Sequence, residues 1–541
     1  MSLIFTSLIY SFVFIILTTK ELITDKYDHD IDQFMYFGSR LLHGELIWTK
    51  EFDDKSPVVQ YIFSLPAAFK STSIFVLLTL IISLISIYTG YFMLKDIIQD
   101  SKLEINKKTE NSILYFGTIL YLTLIVSIYG SLHHINAISS SLCLITIALA
   151  YFNKKKESKI KYNLSAITAA ISISIRPYYL FNMMIIPIWL NLRERRFTIN
   201  NKEGNGNIAY LKYTKNQLNW IIILLFYIII FNLTPYILKG NLSDFVYGIK
   251  LNSVDYIKHN IFYRQYINIG RNPILYPILL GMILLPIIRI VFSKLIYTYY
   301  QKKEKSLSKL YKLDIDLVFF GVINPTLLEI MFYRKHFFGH YFTLFSPYIL
   351  ISIVILLAVI TRISKLIHNF HIIKISIRSI SMILLIVCLI TNQSVINALN
   401  EVFSKKVSTK SYKVKLIKDF IDKEKVENES FNFLAPENNY IHWKLDQSRH
   451  GFPQKAVFRN ISQGKIDDII NKNSKLNYKF LLPSKKQLCE TLNKNAPQYI
   501  ITKNNDYSFR CLTQNSSQYN LLSKTKKLNK NNIFIFKRIY E

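Results

Sequence analysis

Acid and glycine are both in short supply in this chain. Against 67 Lys and Arg stand 35 Asp and Glu, and the 541 residues include only 15 Gly, 14 Pro and 4 Cys. The glycines are scattered, so neither a P-loop nor a Gly-rich dinucleotide turn can be assembled, which argues against soluble nucleotide-sugar chemistry. No internal repeat is visible. The long apolar runs are nearly free of carboxylates, the exceptions lying near run ends at Asp314, Asp316 and Glu329. A transporter or flippase would instead want charged or broken helices near the bilayer midplane in paired halves. Cys143 and Cys388 lie in apolar runs, and only Cys489 and Cys511 fall in the polar tail. An oxidising compartment would allow those two a disulfide, although spacing alone does not establish one.

What is present in quantity is apolar sequence, in blocks of about the ~20 residues that cross a bilayer. They run Leu3 to Thr19, Ser73 to Leu94, Ser112 to Gly130, His134 to Phe152, Asn163 to Asn191, Asn219 to Leu238, Ile274 to Arg289, Ile315 to Tyr333, Phe342 to Ile360 and Ser379 to Val395. The first reads as a retained helix, because no small-x-small cleavage site follows it and Lys20-Glu21 comes directly after. Asn163 to Asn191 is long enough for two short helices meeting at Arg176-Pro177, and the residue before a proline disfavours helix. Lysines 154, 155, 156, 159 and 161 precede it; Arg193, Arg195, Arg196 and three lysines follow. Both flanks are therefore cytoplasmic by the positive-inside rule, which a hairpin satisfies and a single crossing does not. About eleven spans result, with the N-terminus inside and Arg176 at an outer turn.

The same orientation places residues 20–72 outside, and from Lys20 to Lys70 there are nine acidic and six basic residues. Beyond about residue 397 the character changes to a polar tail, extracytoplasmic by topology and large enough for a small domain. Its apolar runs are short and strand-like at Phe431 to Leu434, Gln498 to Thr502 and Ile533 to Arg538, with a helical stretch at Tyr412 to Asp422. The fold class expected is an α-helical polytopic membrane protein, 1–397, followed by an α/β domain, 398–541. The net charge of +32 belongs largely to cytoplasmic loops and to a Lys-, Asn- and Ile-rich compositional bias, so nucleic acid is not an expected partner. The tail's 27 basic against 13 acidic residues would favour anionic headgroups or a phosphate-bearing substrate.

The outer loop concentrates the chemistry. DHDIDQF, Asp28 to Phe34, and EFDDKSP, Glu51 to Pro57, put five aspartates, a glutamate and a lysine at the membrane surface. Transfer of a sugar from a polyprenyl phosphate needs a carboxylate to take the acceptor's proton and cations to hold the departing phosphate. In a loop, Asp28, Asp30 and Asp32 can converge on one cation or hydroxyl; in a strand they would share a face. Lys55, a point charge suited to phosphate, opens an amphipathic helix from Val58 to Phe69 that would lie in the interface. The plainer readings are that the aspartates cap a helix beginning near Gln33, that Asp53, Asp54 and Lys55 form a surface turn, and that Arg176, Arg334 and Lys335 anchor helices at the interface. His336 and His340 have a helical metal spacing without a third ligand nearby.

The stretch Asp30 to Pro57, DIDQFMYFGSRLLHGELIWTKEFDDKSP, resembles the first-loop signature of the GT-C glycosyltransferases, multi-spanning enzymes that include protein O-mannosyltransferases and the aminoarabinose transferase of lipid A. By position, Asp32 matches the catalytic aspartate, Lys55 the phosphate-facing lysine, and Gly44 and Trp48 the turn. Gln33 departs from the pattern, where Glu is usual, and leaves Asp30 as a substitute. SIRPYY, Ser174 to Tyr179, and YRKHFFGHYFTLFSPY, Tyr333 to Tyr348, are similar to two further outer elements. The resemblance covers Leu3 to about Val395, of which about 50 residues are motif-like. It implies transfer of a sugar from a polyprenyl-phosphate donor to a glycan, lipid or protein acceptor. Asp32 would be the base with Asp30 assisting, Lys55, Arg176, Arg334 and His340 would surround the phosphate, and Asp28, Asp53 and Asp54 would support them. The resemblance fixes no cofactor and leaves divalent-metal use open, since the aspartates could hold such a cation. Transport or polymerisation of lipid-linked saccharides is the alternative.

Overall fold

The computed structural model describes residues 29–49, 55–101, 105–127, 134–155, 158–199, 206–253, 311–332, 339–366, 409–424, 433–435, 439–445, 498–502, 519–522 and 533–539, together with a few isolated positions. In chain order the helices are α1 (His29–Leu42), α2 (Pro57–Ala68), α3 (Thr72–Asp100), α4 (Lys107–Ser127), α5 (Ile135–Lys155), α6 (Lys159–Ile175), α7 (Leu180–Met184), α8 (Ile186–Ile199), α9 (Gly206–Leu238), α10 (Leu242–Ser253), α11 (Tyr311–Val318), α12 (Asn324–Phe332), α13 (Ser346–Leu366) and α14 (Thr409–Glu424). The chain then enters β1 (Phe433–Leu434), α15 (Asn439–Lys444), β2 (Tyr499–Thr502), β3 (Tyr519–Leu521) and β4 (Phe534–Arg538). Of the segments expected to span, Leu3 to Thr19, Ile274 to Arg289 and Ser379 to Val395 lie largely or wholly outside the described residues, as do Asp28, Asp53, Asp54, Arg334, Cys489 and Cys511.

Three helices among the described residues are long and apolar enough to cross a membrane, within α3, α5 and α9. They differ in what surrounds them. The apolar window of α5 is 89% buried within the protein and that of α9 only 17%, so α5 is a core helix while α9 shows an exposed stripe of Ile222, Phe226 and Ile229. The Asn163 to Asn191 block is broken where expected. α6 stops at Ile175, Arg176 takes an extended backbone (φ −136°, ψ 95°) ahead of Pro177, and a 3₁₀ turn of Pro177–Tyr179 leads into α7. The run from Ile315 to Tyr333 is interrupted by a π-helical turn, Phe319–Ile323, whose Phe319 carbonyl accepts from Asn324 Nδ2 at 2.8 Å.

The chain divides into two compact units. The first comprises Met1–Lys20, Val76–Asn232 and Val254–Ser404. Its core joins α5 to α6 through small residues, Ala166, Ala169 and Ala170, and through hydroxyls: Ser139 and Ser172 each donate to the other's carbonyl at 3.0 and 2.8 Å, and Thr146 meets Thr168 at 2.8 Å. Close approach with hydroxyl cross-links is the usual means of helix association in lipid, where apolar contact alone gives no advantage.

The second unit comprises Glu21–Phe75, Leu233–Ser253 and Lys405–Glu541. Four strands form a sheet in the order β1-β2-β4-β3, with β1 parallel to β2 and the other pairs antiparallel. Ile417 of α14 packs on Phe433, Tyr499, Ile501 and Ile535 to make its core. β3 escapes a reading from alternation because it is a three-residue edge strand with Asn520 and Leu521 exposed.

Candidate functional site

Asp30 and Asp32 sit in the first turn of α1, which begins at His29 rather than near Gln33; Arg40 occupies its last turn. Carboxylates at the N-terminus and a cation at the C-terminus complement the helix dipole. Helical geometry also alters the expected convergence of the aspartates, since residues two apart on a helix do not face each other. Asp32 is buried, at 5% exposure, and Asp30 is half-buried. Lys55 Nζ stands 5.9 Å over the Phe34 ring, two residues on from Asp32, so the cation is held at the acidic end of α1. α2 starts with Ser56 at the cap position and Pro57 in the first turn, where its missing N–H is harmless.

Contacts α1 makes with α2 and the connecting turn fix this loop. A Cβ on Gly38 would collide with the Phe63 carbonyl, so the two backbones touch there, and Phe34 packs on Phe63 at 5.2 Å. Gln60, 1% exposed, donates from Nε2 to Phe37 O (3.0 Å) and Glu45 O (2.8 Å) and accepts from Ile47 N (2.9 Å). Gly44 and Trp48, the residues matched to the turn, both have positive φ, 77° and 71°. For Trp48 that backbone is unfavourable, and it is held by stacking on Tyr236 (6.2 Å), by Phe245 (5.7 Å) and by Gly248, which leaves room for the indole. Tyr236 donates to Ile47 O and Lys239 to Gly44 O. Gln60 is a support that sequence reasoning did not single out; its signal is one polar residue on the buried face of PVVQYIF. Nearby, burial pushes the Tyr61 hydroxyl up to about 12.

In the first unit, the break at Ser174 to Tyr179 and the end of the Tyr333 to Tyr348 stretch come together with the start of the His134 to Phe152 run. Arg176 is 4% exposed. Its Nε donates to Asn136 Oδ1, its Nη2 lies 3.5 Å from His134 Nδ1, and its guanidinium sits 5.5 Å over the Tyr341 ring. Tyr178 meets Tyr341 at 5.8 Å, and the Tyr179 hydroxyl donates to Leu344 O at 2.6 Å. Tyr341 belongs to the 3₁₀ turn Gly339–Phe345, which also carries His340. His134 and Asn136 are fully buried. Among the described residues the side chains holding Arg176 are thus an amide, an imidazole and a phenol ring, and no carboxylate pairs with this buried cation. A buried charge is costly unless it is paired.

A second charged cluster in this unit pairs its cations with carboxylates. Asp316, 0% exposed, accepts from Trp189 Nε1 (2.6 Å) and Arg193 Nε (3.1 Å). Arg193 reaches Asp100 at 3.3 Å, and Lys312 reaches the same oxygen at 3.1 Å. Its members lie at the helix ends that carry the lysine-rich flanks. No group of three His, Cys, Asp or Glu able to hold a metal occurs among the described residues.

No sequence family matches this chain, and no curated protein matches it. Among solved structures it is similar to ArnT from Cupriavidus metallidurans bound to undecaprenyl phosphate, with 8% identity and a TM-score of 0.49 over 99% of this chain and 98% of that one. The apo state of the same ArnT gives 8% identity and a TM-score of 0.45 over 99% and 98%. An Archaeoglobus fulgidus oligosaccharyltransferase in complex with Zn and sulfate gives 11% identity and a TM-score of 0.43 over 93% of this chain and 68% of that one. At such identities and scores the likeness is one of chain course, and the functional reading rests on this chain's own residues.

Proposed function

We propose that this protein is a membrane glycosyltransferase of the GT-C kind that moves a sugar from a polyprenyl-phosphate donor to an extracytoplasmic acceptor. The observation that carries the reading is Arg176: a guanidinium buried at a helix break, oriented by Asn136, His134 and Tyr341 and paired with no carboxylate among the described residues, suits an anion from outside the chain. A phosphate at the end of a lipid suits an outer helix break next to apolar spans.

In the transfer, the acceptor oxygen attacks the anomeric carbon. The bond from that carbon to the phosphate oxygen breaks, the electron pair leaves with the polyprenyl phosphate, and the acceptor proton passes to Asp32. One displacement inverts the anomeric centre. The roles expected from the resemblance are Asp32 as base and Lys55, Arg176, Arg334 and His340 as phosphate ligands, with Asp28, Asp30, Asp53 and Asp54 in support. The N-terminus lies in the cytoplasm, while residues 20–72 and the C-terminal region, 398–541, lie outside.

Removing a positioned base costs about 10² to 10⁴ in rate. Asp32→Asn is therefore expected to enter the membrane folded and to lose turnover by that factor, while Arg176→Gln loses binding of a polyprenyl phosphate. Wild-type rates from Asp32→Asn in lipid nanodiscs would refute the assignment. Transport of the intact lipid-linked saccharide is the second reading, favoured by the broken helix at Arg176 and the π turn at Phe319–Ile323. It predicts movement across the bilayer without sugar–phosphate cleavage.

A further inference from the structure

α1 presents two faces. Phe34 and Gly38, four apart, meet α2. Asp32, Tyr36 and Arg40, also four apart, form a row on the opposite side, all three buried at 5%, 0% and 7% exposure, with the Arg40 guanidinium 5.8 Å over the Tyr36 ring. Against α1 packs α15, the short helix Asn439–Lys444 of the C-terminal region. A helix of six residues has no stability of its own. It is held by burial of Tyr440, Ile441 and His442.

His442 links the sheet to α1. Its Nε2 accepts from the Ala435 N–H at 2.9 Å, its ring stacks on Phe433 at 5.2 Å, and it meets Tyr36 edge-on at 5.9 Å. Phe433 and Ala435 belong to the sheet core with Tyr499 and Ile535. A continuous packed path therefore runs from the sheet through His442 to Tyr36, one helical turn from Asp32. A second attachment lies at the end of α2, where Lys444 Nζ donates to Lys70 O at 3.2 Å.

We infer that the C-terminal region positions the aspartate-bearing helix, with His442 acting through Tyr36 as a positioning residue for Asp32. The inference rests on the transferase reading above. α1 has 14 residues, marginal for an isolated helix, so its placement comes from its two packed faces. One is supplied by α2 and the other by α15. A base displaced by about 1 Å loses on the order of a hundredfold in rate, which makes the α15 face a determinant of turnover even though it lies outside the reacting groups.

The test uses the full chain in lipid nanodiscs and the variant His442→Gln, which keeps an acceptor for Ala435 N–H while removing the ring from Tyr36. Hydrogen exchange of the α1 amides is expected to quicken at least tenfold, with the amides of 499–502 exchanging as in wild type. Turnover is measured with whichever member of a panel of polyprenyl-phosphate-linked sugars wild type consumes: kcat is expected to fall about tenfold to a hundredfold with donor KM within twofold. Unchanged α1 exchange would overturn the inference, and so would a raised KM with kcat retained, which would make the region a substrate binder. Should His442→Gln fail to fold, Tyr36→Leu breaks the same contact from the α1 side and is read in the same way. If wild type consumes no panel member, the transfer reading fails while the exchange measurement still decides the brace.

Discussion

At the residue scale, the difference between the two buried arginines organises the account. Arg193 has Asp316 and Asp100; Arg176 has an amide, an imidazole and an aromatic ring. Removing one partner of a buried ion pair typically costs about 3–5 kcal/mol, because the other charge is stranded. Arg193→Ala is accordingly expected to lower thermal stability in detergent sharply, whereas Arg176→Gln, which removes a charge with no counterion among the described residues, should leave stability within about 1 kcal/mol and abolish phosphate binding. Equal destabilisation by both would contradict the distinction. Gln60→Leu strands the Ile47 N–H, at roughly 1–3 kcal/mol for a group left unsatisfied in the interior, and should show as a lowered melting temperature. Residue types made Asp32, Lys55 and Arg176 legible in the sequence. Gln60 and the Asp316 cluster were not, since Asp316 meets partners more than a hundred positions away.

At the element scale, breaks and starts were read well where local chemistry dictates them. Arg176-Pro177 ends α6 because proline restricts the residue before it, and the strands at Tyr499–Thr502 and Phe534–Arg538 follow their β-branched and aromatic runs. The start of α1 was read four residues late. Its acids were weighed as loop ligands, while their attraction to a helix N-terminus draws them into the first turn. α9 carries an element-scale prediction. Ile222, Phe226 and Ile229 are each more than half exposed within the protein, so lipid is their expected surroundings. Phe226→Arg places a charge there at a cost of about 2.5–3.5 kcal/mol near a helix centre, and membrane-inserted protein should fall in a fractionation assay. Unchanged insertion would place that face elsewhere.

At the scale of the whole molecule, charge asymmetry across the apolar blocks indicated a polytopic membrane protein, and three stretches separated by up to two hundred residues meet in one cluster around Arg176. Long-range meetings of this kind follow from packing that no local pattern encodes. The division into units was likewise not legible. Residues 21–75, 233–253 and 405–541 group into one compact unit, a meeting of segments far apart in the chain that composition does not encode.

The most direct measurement follows the bond between sugar and phosphate. Purified protein in nanodiscs is supplied with polyprenyl-phosphate-linked sugars, and the lipids are read by mass spectrometry. The account predicts free polyprenyl phosphate and a glycosylated acceptor from wild type, with neither from Asp32→Asn or Arg176→Gln. Intact donor appearing on the opposite leaflet of proteoliposomes, with no free polyprenyl phosphate formed, would contradict it.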